Sequence, residues 1–205
     1  MLKLASYAAG DWVGPGEGAR PIRSAVSGNV IAEAGGGALD FAAMLEYAKT
    51  KGGPALRAMG FRDRAKMLKA LALYLHERRD PLYEISYDTG ATLMDHKSDI
   101  DGGIGTLFVF ASKGRRELPD SDIYVDGGLE QFGKAGTFRG QHVAVPLQGV
   151  AVHINAFNVP VWGMLEKLAP TLLAGVPAIV KPATTSSYVT EAAVRMIVDS
   201  GILPN

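Results

Sequence analysis

The sequence predicts an α/β fold in which helices pack on a parallel sheet, and three observations carry that prediction. The runs VAVHI and VPAIV, in the last third of the chain, are short and apolar, as strands buried in a parallel sheet are. After the first comes an apolar stripe at helical spacing: Val161, Met164, Leu165, Leu168 and Leu172. After the second comes a helical stretch from Ser187 to Ser200. Strand, helix, strand, helix in that rhythm is the pattern of parallel strands joined by right-handed crossovers.

The preceding elements follow in order. Residues 1–37 read as irregular or strand-like and end in Gly35-Gly36-Gly37. The phrase AVSGNVIAEA resembles two short strands joined at Ser27-Gly28-Asn29. Asp40 is placed to cap a helix over residues 41–51, with Gly52-Gly53-Pro54 as its stop. In FRDRAKMLKALALYLHERRD, Phe61, Ala65, Leu68, Ala72 and Leu75 share one face, which leaves the basic residues mainly on a solvated one. Residues 81–115 read as helical with breaks at Gly90 and Gly102-Gly103, burying Leu107, Phe108 and Phe110. Residues 117–140 are polar and glycine-rich, a loop or an exposed hairpin arm, and two β-rich runs then flank Pro146–Gly149. Pro160 suits the first turn of the next helix, and Gly175 closes it. Ser187 is placed to cap the last helix, with Gly201 just past its end.

Composition narrows the function. The 205 residues carry 21 Lys+Arg against 21 Asp+Glu, and this neutrality offers no electrostatic case for nucleic acid or an anionic membrane. The start, MLKLASYAAGDW, lacks the apolar region of a secretory signal, and no apolar run is long enough to span a bilayer. A cytoplasmic protein is expected. There is no cysteine, hence no disulfide and no thiol nucleophile within these residues. His76, His96, His142 and His153 are scattered, so no metal site is expected. Glycine-rich phosphate loops of the G-x-G-x-x-G type are missing too, because Ala19 and Phe108 stand where the third glycine belongs.

Ligands of an open parallel sheet lie beyond the carboxyl ends of its strands, here His153–Asn158 and Lys181–Thr184. Asn158 reads either as a helix cap or as an amide donor to a developing oxyanion. Lys167 flanks the apolar stripe, as a snorkelling lysine or a steered ammonium. Lys181 reads as a solvated strand end or as a donor to a ribose or phosphate.

The stretch INAFNVPVWGMLEKLAPTLLAGVPAIVKPA strongly resembles the aldehyde dehydrogenase superfamily. The family motif is Pro-Trp-Asn-Phe-Pro, a lysine nine residues after the Asn, a glycine turn and a strand ending in Lys-Pro. Ala156-Phe157-Asn158-Val159-Pro160, Lys167 and Lys181-Pro182 fill it, with Ala156-Phe157 departing from Pro-Trp. Within the superfamily, ISYDTGATLMDHKSDIDGGIGTLF, GVAVHINAFN and WGMLEKLAP are similar to the N-terminal part of the bifunctional phenylacetate-degradation branch. That branch couples a ring-opening hydratase domain to a dehydrogenase for a CoA-linked semialdehyde.

The resemblance implies an α/β fold with a Rossmann-like parallel cofactor sheet, preceding helices and a β-hairpin arm. It divides the chain into cofactor-domain strands and helices over 1–128, an oligomerising arm over 129–148 and the first βαβα unit over 149–205. The catalytic domain, with its cysteine nucleophile and general-base glutamate, is expected downstream, and the 205 residues alone are expected to be inactive. By the same resemblance Asn158 is the oxyanion donor and Lys167 the proton-relay lysine. Ile154, Asn155, Ala156, Lys181, Ala183 and Thr184 line the cofactor, with Lys181 on the adenosine ribose. The implied cofactor is NADP or NAD. Thr184 stands where many NAD-preferring members have a ribose-binding glutamate, which makes room for a 2′-phosphate. The implied partners are a small, CoA-linked aldehyde and further copies of the chain, with neither nucleic acid nor membrane. A non-catalytic cofactor-binding or assembly module is the alternative from another class.

Overall fold

The computed structural model describes residues 1–204. Short strands come first: β1 (Leu2–Lys3), β2 (Ser6–Ala8), β3 (Asp11–Val13), β4 (Arg20–Arg23) and β5 (Val30–Ala34). β5 pairs with β1 in parallel and with β4 antiparallel, while β2 and β3 form their own antiparallel pair. The turn before β5 is wider than the expected Ser27-Gly28-Asn29. It spans Ser24 to Asn29, because the Ser24 hydroxyl accepts from the Val26 and Ser27 N–H groups and holds Ala25–Ser27 out of the ladder.

Helices follow. Asp40 caps α1 (Phe41–Tyr47) by accepting from the Ala43 N–H at 2.9 Å. The expected stop at Gly52-Gly53-Pro54 does not occur. The chain widens into a π turn over Ala48–Gly52 and continues as α2 (Gly53–Arg57), since Pro54 falls in a first turn, where its missing N–H costs nothing. Next come α3 (Phe61–Glu77), α4 (Asp80–Ser86) and α5 (Leu93–Arg116). α5 opens with a reciprocal box: Thr92 Oγ1 accepts from the Asp95 N–H, and the Asp95 carboxylate accepts from the Thr92 N–H.

α5 runs unbroken through Gly102-Gly103, contrary to expectation. The glycines serve contact, not chain reversal. A methyl at Gly102 would lie 2.5 Å from the Trp162 ring, one at Gly103 2.9 Å from Trp162 Cα, and one at Gly114 2.6 Å from Leu173 Cδ1. Trp162 and Leu173 bound α6 (Trp162–Leu173). α5 and α6 therefore run side by side in the same direction, with a bare-backbone strip at each end of the contact. Leu68 and Leu71 of α3, Ile100 and Leu107 of α5, and Leu165 of α6 are wholly buried where the three helices meet.

The antiparallel hairpin β6 (Tyr124–Phe132) and β7 (Phe138–Ala144) stands between these helices in sequence, and every β6 residue is exposed. β8 (Ala151–Ile154) then pairs in parallel with β9 (Ala178–Lys181) through α6, aligning Ile154 with Lys181. The apolar run of β8 is buried on one face only. His153 is covered, whereas Val152 and Ile154 are 62% and 72% exposed, because strand residues alternate faces and α6 covers just one. α7 (Ser187–Asp199) closes the fold, with Gly201 at φ +60° just beyond it. Among the described residues no helix is long and apolar enough to cross a membrane.

Alanine at two α5 glycines should act in opposite directions. Gly103→Ala should destabilise by about 1–2 kcal/mol, because overpacking against the α6 backbone outweighs the gain in helix propensity. Gly105 has nothing within 4 Å of its would-be methyl. Gly105→Ala should therefore stabilise by up to about 1 kcal/mol. Urea midpoints of the two variants decide the matter, and shifts of the same sign would show that the glycines do not mark the helix contact.

Candidate active site

The carboxyl ends of β8 and β9 lie side by side, held by the Asn155 N–H donating to the Lys181 carbonyl at 3.1 Å. This end gathers Ile154, Asn155, Ala156, Lys181, Ala183 and Thr184. Ile154, Ala156, Lys181 and Thr184 are exposed, Ala183 is half-buried and Asn155 is buried. The Lys181 ammonium has no acidic partner among the described residues. The Asn155 side chain is covered, yet neither its oxygen nor its nitrogen has a hydrogen-bond partner. A buried amide left unpaired costs free energy, so one facing a strand end suits a polar ligand. The free ammonium and the open strand ends form one exposed polar edge, suited to a polar ligand.

Asn158 sits on the loop between β8 and α6 with its side chain exposed. It does not cap α6, which begins at Trp162 rather than at Pro160. The cap comes from α5: Asp99 Oδ1 accepts from the Trp162 N–H at 2.7 Å, and the carboxylate accepts from the Val161 N–H at 3.2 Å. Ser187 likewise is not the cap expected for α7. It lies inside the helix, and its hydroxyl donates to the Thr184 carbonyl at 2.8 Å.

Lys167, on α6, donates to the Gly163 carbonyl at 2.8 Å and to Glu166 at 3.1 Å. No hydrogen bond joins it to Asn158. Both Lys167 Nζ and Asn155 Cβ border Gly163: the position of a methyl on Gly163 lies 3.9 Å from each. His153, two residues before Asn155 on the same strand face, pairs through Nε2 with Thr171 Oγ1 at 3.1 Å. Burial, then the Lys167 charge, lower the His153 pKa and disfavour the charged ring.

Two buried charges escaped the sequence reading. Arg64 is the exception to the mainly solvated basic residues of α3: it is fully buried, and its Nη1 donates to the Leu173 carbonyl at 2.9 Å. Asp99 was not singled out. The signal for Arg64 is its spacing, four residues before Leu68 on the apolar stripe, whereas the expected break at Gly102-Gly103 hides the matching position of Asp99, eight residues before Leu107. Burial raises the Asp99 pKa to about 6 even though two backbone N–H donors pull it down. A cavity of about 280 Å³ opens here, lined by Ser86, Thr89, His96, Asp99, Phe157 and Asn158 among others. A larger hollow at the base of the hairpin, between Glu117 and Val125, lies away from these groups.

With this geometry in place, comparison with known proteins is direct. The profile of the aldehyde dehydrogenase family matches residues 12–205, and the chain belongs to that family. It is 42% identical to 3,4-dehydroadipyl-CoA semialdehyde dehydrogenase of Aromatoleum evansii, across 99% of this chain and 39% of the relative. The chain thus spans about two fifths of that protein. Among solved structures, a 3,6-anhydro-L-galactose dehydrogenase in complex with NADP superposes with a TM-score of 0.84 at 21% identity. That match covers all of this chain and 41% of the other. Betaine aldehyde dehydrogenase of Staphylococcus aureus, in complex with NAD+, gives 0.80 at 21% identity over 99% and 40%. At such identities the two structures establish the fold.

The Asp99 carboxyl should leave a signature in stability. Its folded pKa of about 6 exceeds the ordinary 3.8, so the folded state holds the proton more tightly than the unfolded chain does. Its contribution therefore falls as pH rises from about 4 to about 6, by on the order of 3 kcal/mol in all. Asp99→Asn does not titrate. Urea unfolding of both proteins near pH 4 and near pH 7 should show the variant gaining on the wild type at the higher pH. A gap that stays constant would place the Asp99 pKa at its unfolded value.

Proposed function

We propose that this chain is the cofactor-sheet portion of an NAD(P)-dependent aldehyde dehydrogenase that oxidises a CoA-linked semialdehyde to the acid. The observation that carries the reading is the placement of Asn158. Its amide projects from a loop at the end of a parallel strand pair, free of any capping duty, beside strand ends open to a dinucleotide. The identity to a CoA-semialdehyde dehydrogenase along the whole chain supports the substrate class.

In this reading the nucleophile is a thiolate from outside these residues, which contain no cysteine. Its attack on the aldehyde carbon moves charge onto the carbonyl oxygen. The Asn158 amide donates to that oxygen without bringing a charge that must itself be desolvated. The dinucleotide, when bound, would supply the hydride acceptor, and water would then hydrolyse the resulting thioester, releasing the acid and returning the thiolate. Lys181 and Thr184 hold its adenosine ribose, and Ile154, Asn155, Ala156 and Ala183 line its path along the strand ends. Lys167 holds a proton between the strand end and α6. The exposed β6–β7 hairpin, with Leu129, Phe132 and Phe138 in solvent, is the surface through which further copies of the chain assemble. A non-catalytic module would need neither a free Asn158 amide nor an unpaired Lys181.

Two substitutions in the full-length dehydrogenase test this reading. Asn158→Ala should lower turnover roughly 100- to 1000-fold, about 2.7–4 kcal/mol of transition-state stabilisation. It should leave the melting temperature and cofactor affinity unchanged, since the side chain is exposed and makes no hydrogen bond. Normal turnover in that variant would remove Asn158 from the chemistry.

Thr184→Glu addresses cofactor choice. The wild type should use NADP at least as well as NAD. A carboxylate at this exposed position should weaken NADP by about 1 kcal/mol at low salt, and less at high salt. An NADP-to-NAD affinity ratio that does not move would show that residue 184 faces away from the ribose.

A further inference from the structure

The loop that carries Asn158 is held in place from outside. Three buried side chains grip it. Ser186 Oγ donates to the Phe157 carbonyl at 2.8 Å, Thr190 Oγ1 donates to the Pro160 carbonyl at 3.1 Å, and Asp99 accepts from Val161 and Trp162. The three are 4%, 2% and 6% exposed, so each bond is anchored by a buried side chain. They fall on both sides of position 158 and come from two bodies, α5 and the segment that follows β9.

Two of the three hydroxyl and carboxyl groups forgo closer partners. Ser186 occupies the N-cap position of α7, where a serine ordinarily accepts from the first turn, yet it makes no such bond. Thr190 lies inside α7, where a threonine hydroxyl ordinarily bonds the carbonyl four residues back. Its only hydrogen bond instead spans thirty residues of sequence. Local geometry offered each hydroxyl a partner, and both are turned toward the loop.

We infer that Ser186, Thr190 and Asp99 are positioning residues for the Asn158 amide, fixing the loop backbone at Phe157, Pro160 and Val161–Trp162 so that only the side chain of Asn158 keeps rotational freedom. An oxyanion donor works because it is aimed before charge develops, and aim requires a fixed backbone. Ser186 lies two residues after Thr184, so the cofactor edge and the oxyanion donor share one hydrogen-bonded bridge. The inference rests on the reading of Asn158 as that donor.

The test is a double-mutant cycle in the full-length dehydrogenase, read as the single-turnover rate of cofactor reduction, with cofactor affinity and melting temperature measured alongside. Ser186→Ala should slow reduction roughly 5- to 20-fold, with cofactor affinity held within about two-fold. In the Asn158→Ala background the same substitution should change the rate less than about two-fold, because there is no donor left to aim. Thr190→Val, nearly isosteric, should repeat this pattern, and Thr190→Ser, which keeps the hydroxyl, should restore the rate. A Ser186→Ala loss that persists in full without Asn158 would overturn the inference and leave the oxyanion role standing. Wild-type rates in both Ser186→Ala and Thr190→Val would do the same. A normal rate in Asn158→Ala would bring down the donor and its positioning together.

Discussion

The structure turns on one helix seated between two buried, opposite charges. Asp99 from α5 meets the unpaired N–H groups at the start of α6, and Arg64 from α3 meets the carbonyl of its last residue. Each charge lies where the helix dipole favours it, an anion at the positive end and a cation at the negative end. Neither would be buried without that match, because desolvating a lone carboxylate or guanidinium is prohibitive. The balance is still incomplete at both ends. Arg64 keeps two nitrogens without partners, and Asp99 retains a raised pKa. The two charges therefore specify where α6 sits more than they stabilise it. A helix shifted by one turn would strand both.

Once α6 is placed, the functional groups follow. Its first turn ends the loop that carries Asn158, and its second carries Lys167, bonded back to the Gly163 carbonyl. The glycine strips of α5 permit the close approach that brings Asp99 to the helix start, so Gly103 and Asp99 are parts of one contact. Gly175 completes the seat at the far end. Its φ of +80° turns the chain toward β9, and a side chain there would run into the Arg64 guanidinium.

Much of this was legible in the sequence. The βαβα rhythm of the last third, the Asp40 cap and the position of Gly201 follow from periodicity and capping chemistry, which act within a few residues. The pairing of two strands whose carboxyl ends lie at His153–Asn158 and Lys181–Thr184 follows from the runs VAVHI and VPAIV. What could not be read depends on contacts between distant segments. Gly102-Gly103 looks like a break in isolation and becomes a contact only beside Trp162. Ser187 looks like a cap until its hydroxyl is seen bonded to Thr184. Asn158 stayed ambiguous between cap and donor because the true cap, Asp99, lies 63 residues from Trp162 in sequence. Arg64 carries a charge that reads as solvent-facing, and only the Leu173 carbonyl, 109 residues away, explains its burial.

The charged seat of α6 also bears on how the chain folds during synthesis. α3 and α5 are synthesised before α6, and translation needs roughly three to eleven seconds to pass from Arg116 to Leu173 at about 5–20 residues per second. For that interval Arg64 and Asp99 lack their helix-end partners, and Gly102-Gly103 of α5 have no Trp162 to pack against. When α6 arrives, both charges lose their hydration and gain their helix ends in the same event. Partial docking would leave one of them dry and unpaired, so half-seated intermediates are disfavoured. Nascent α3 and α5 are therefore held open by their own hydrated charges until the helix that completes them has been made.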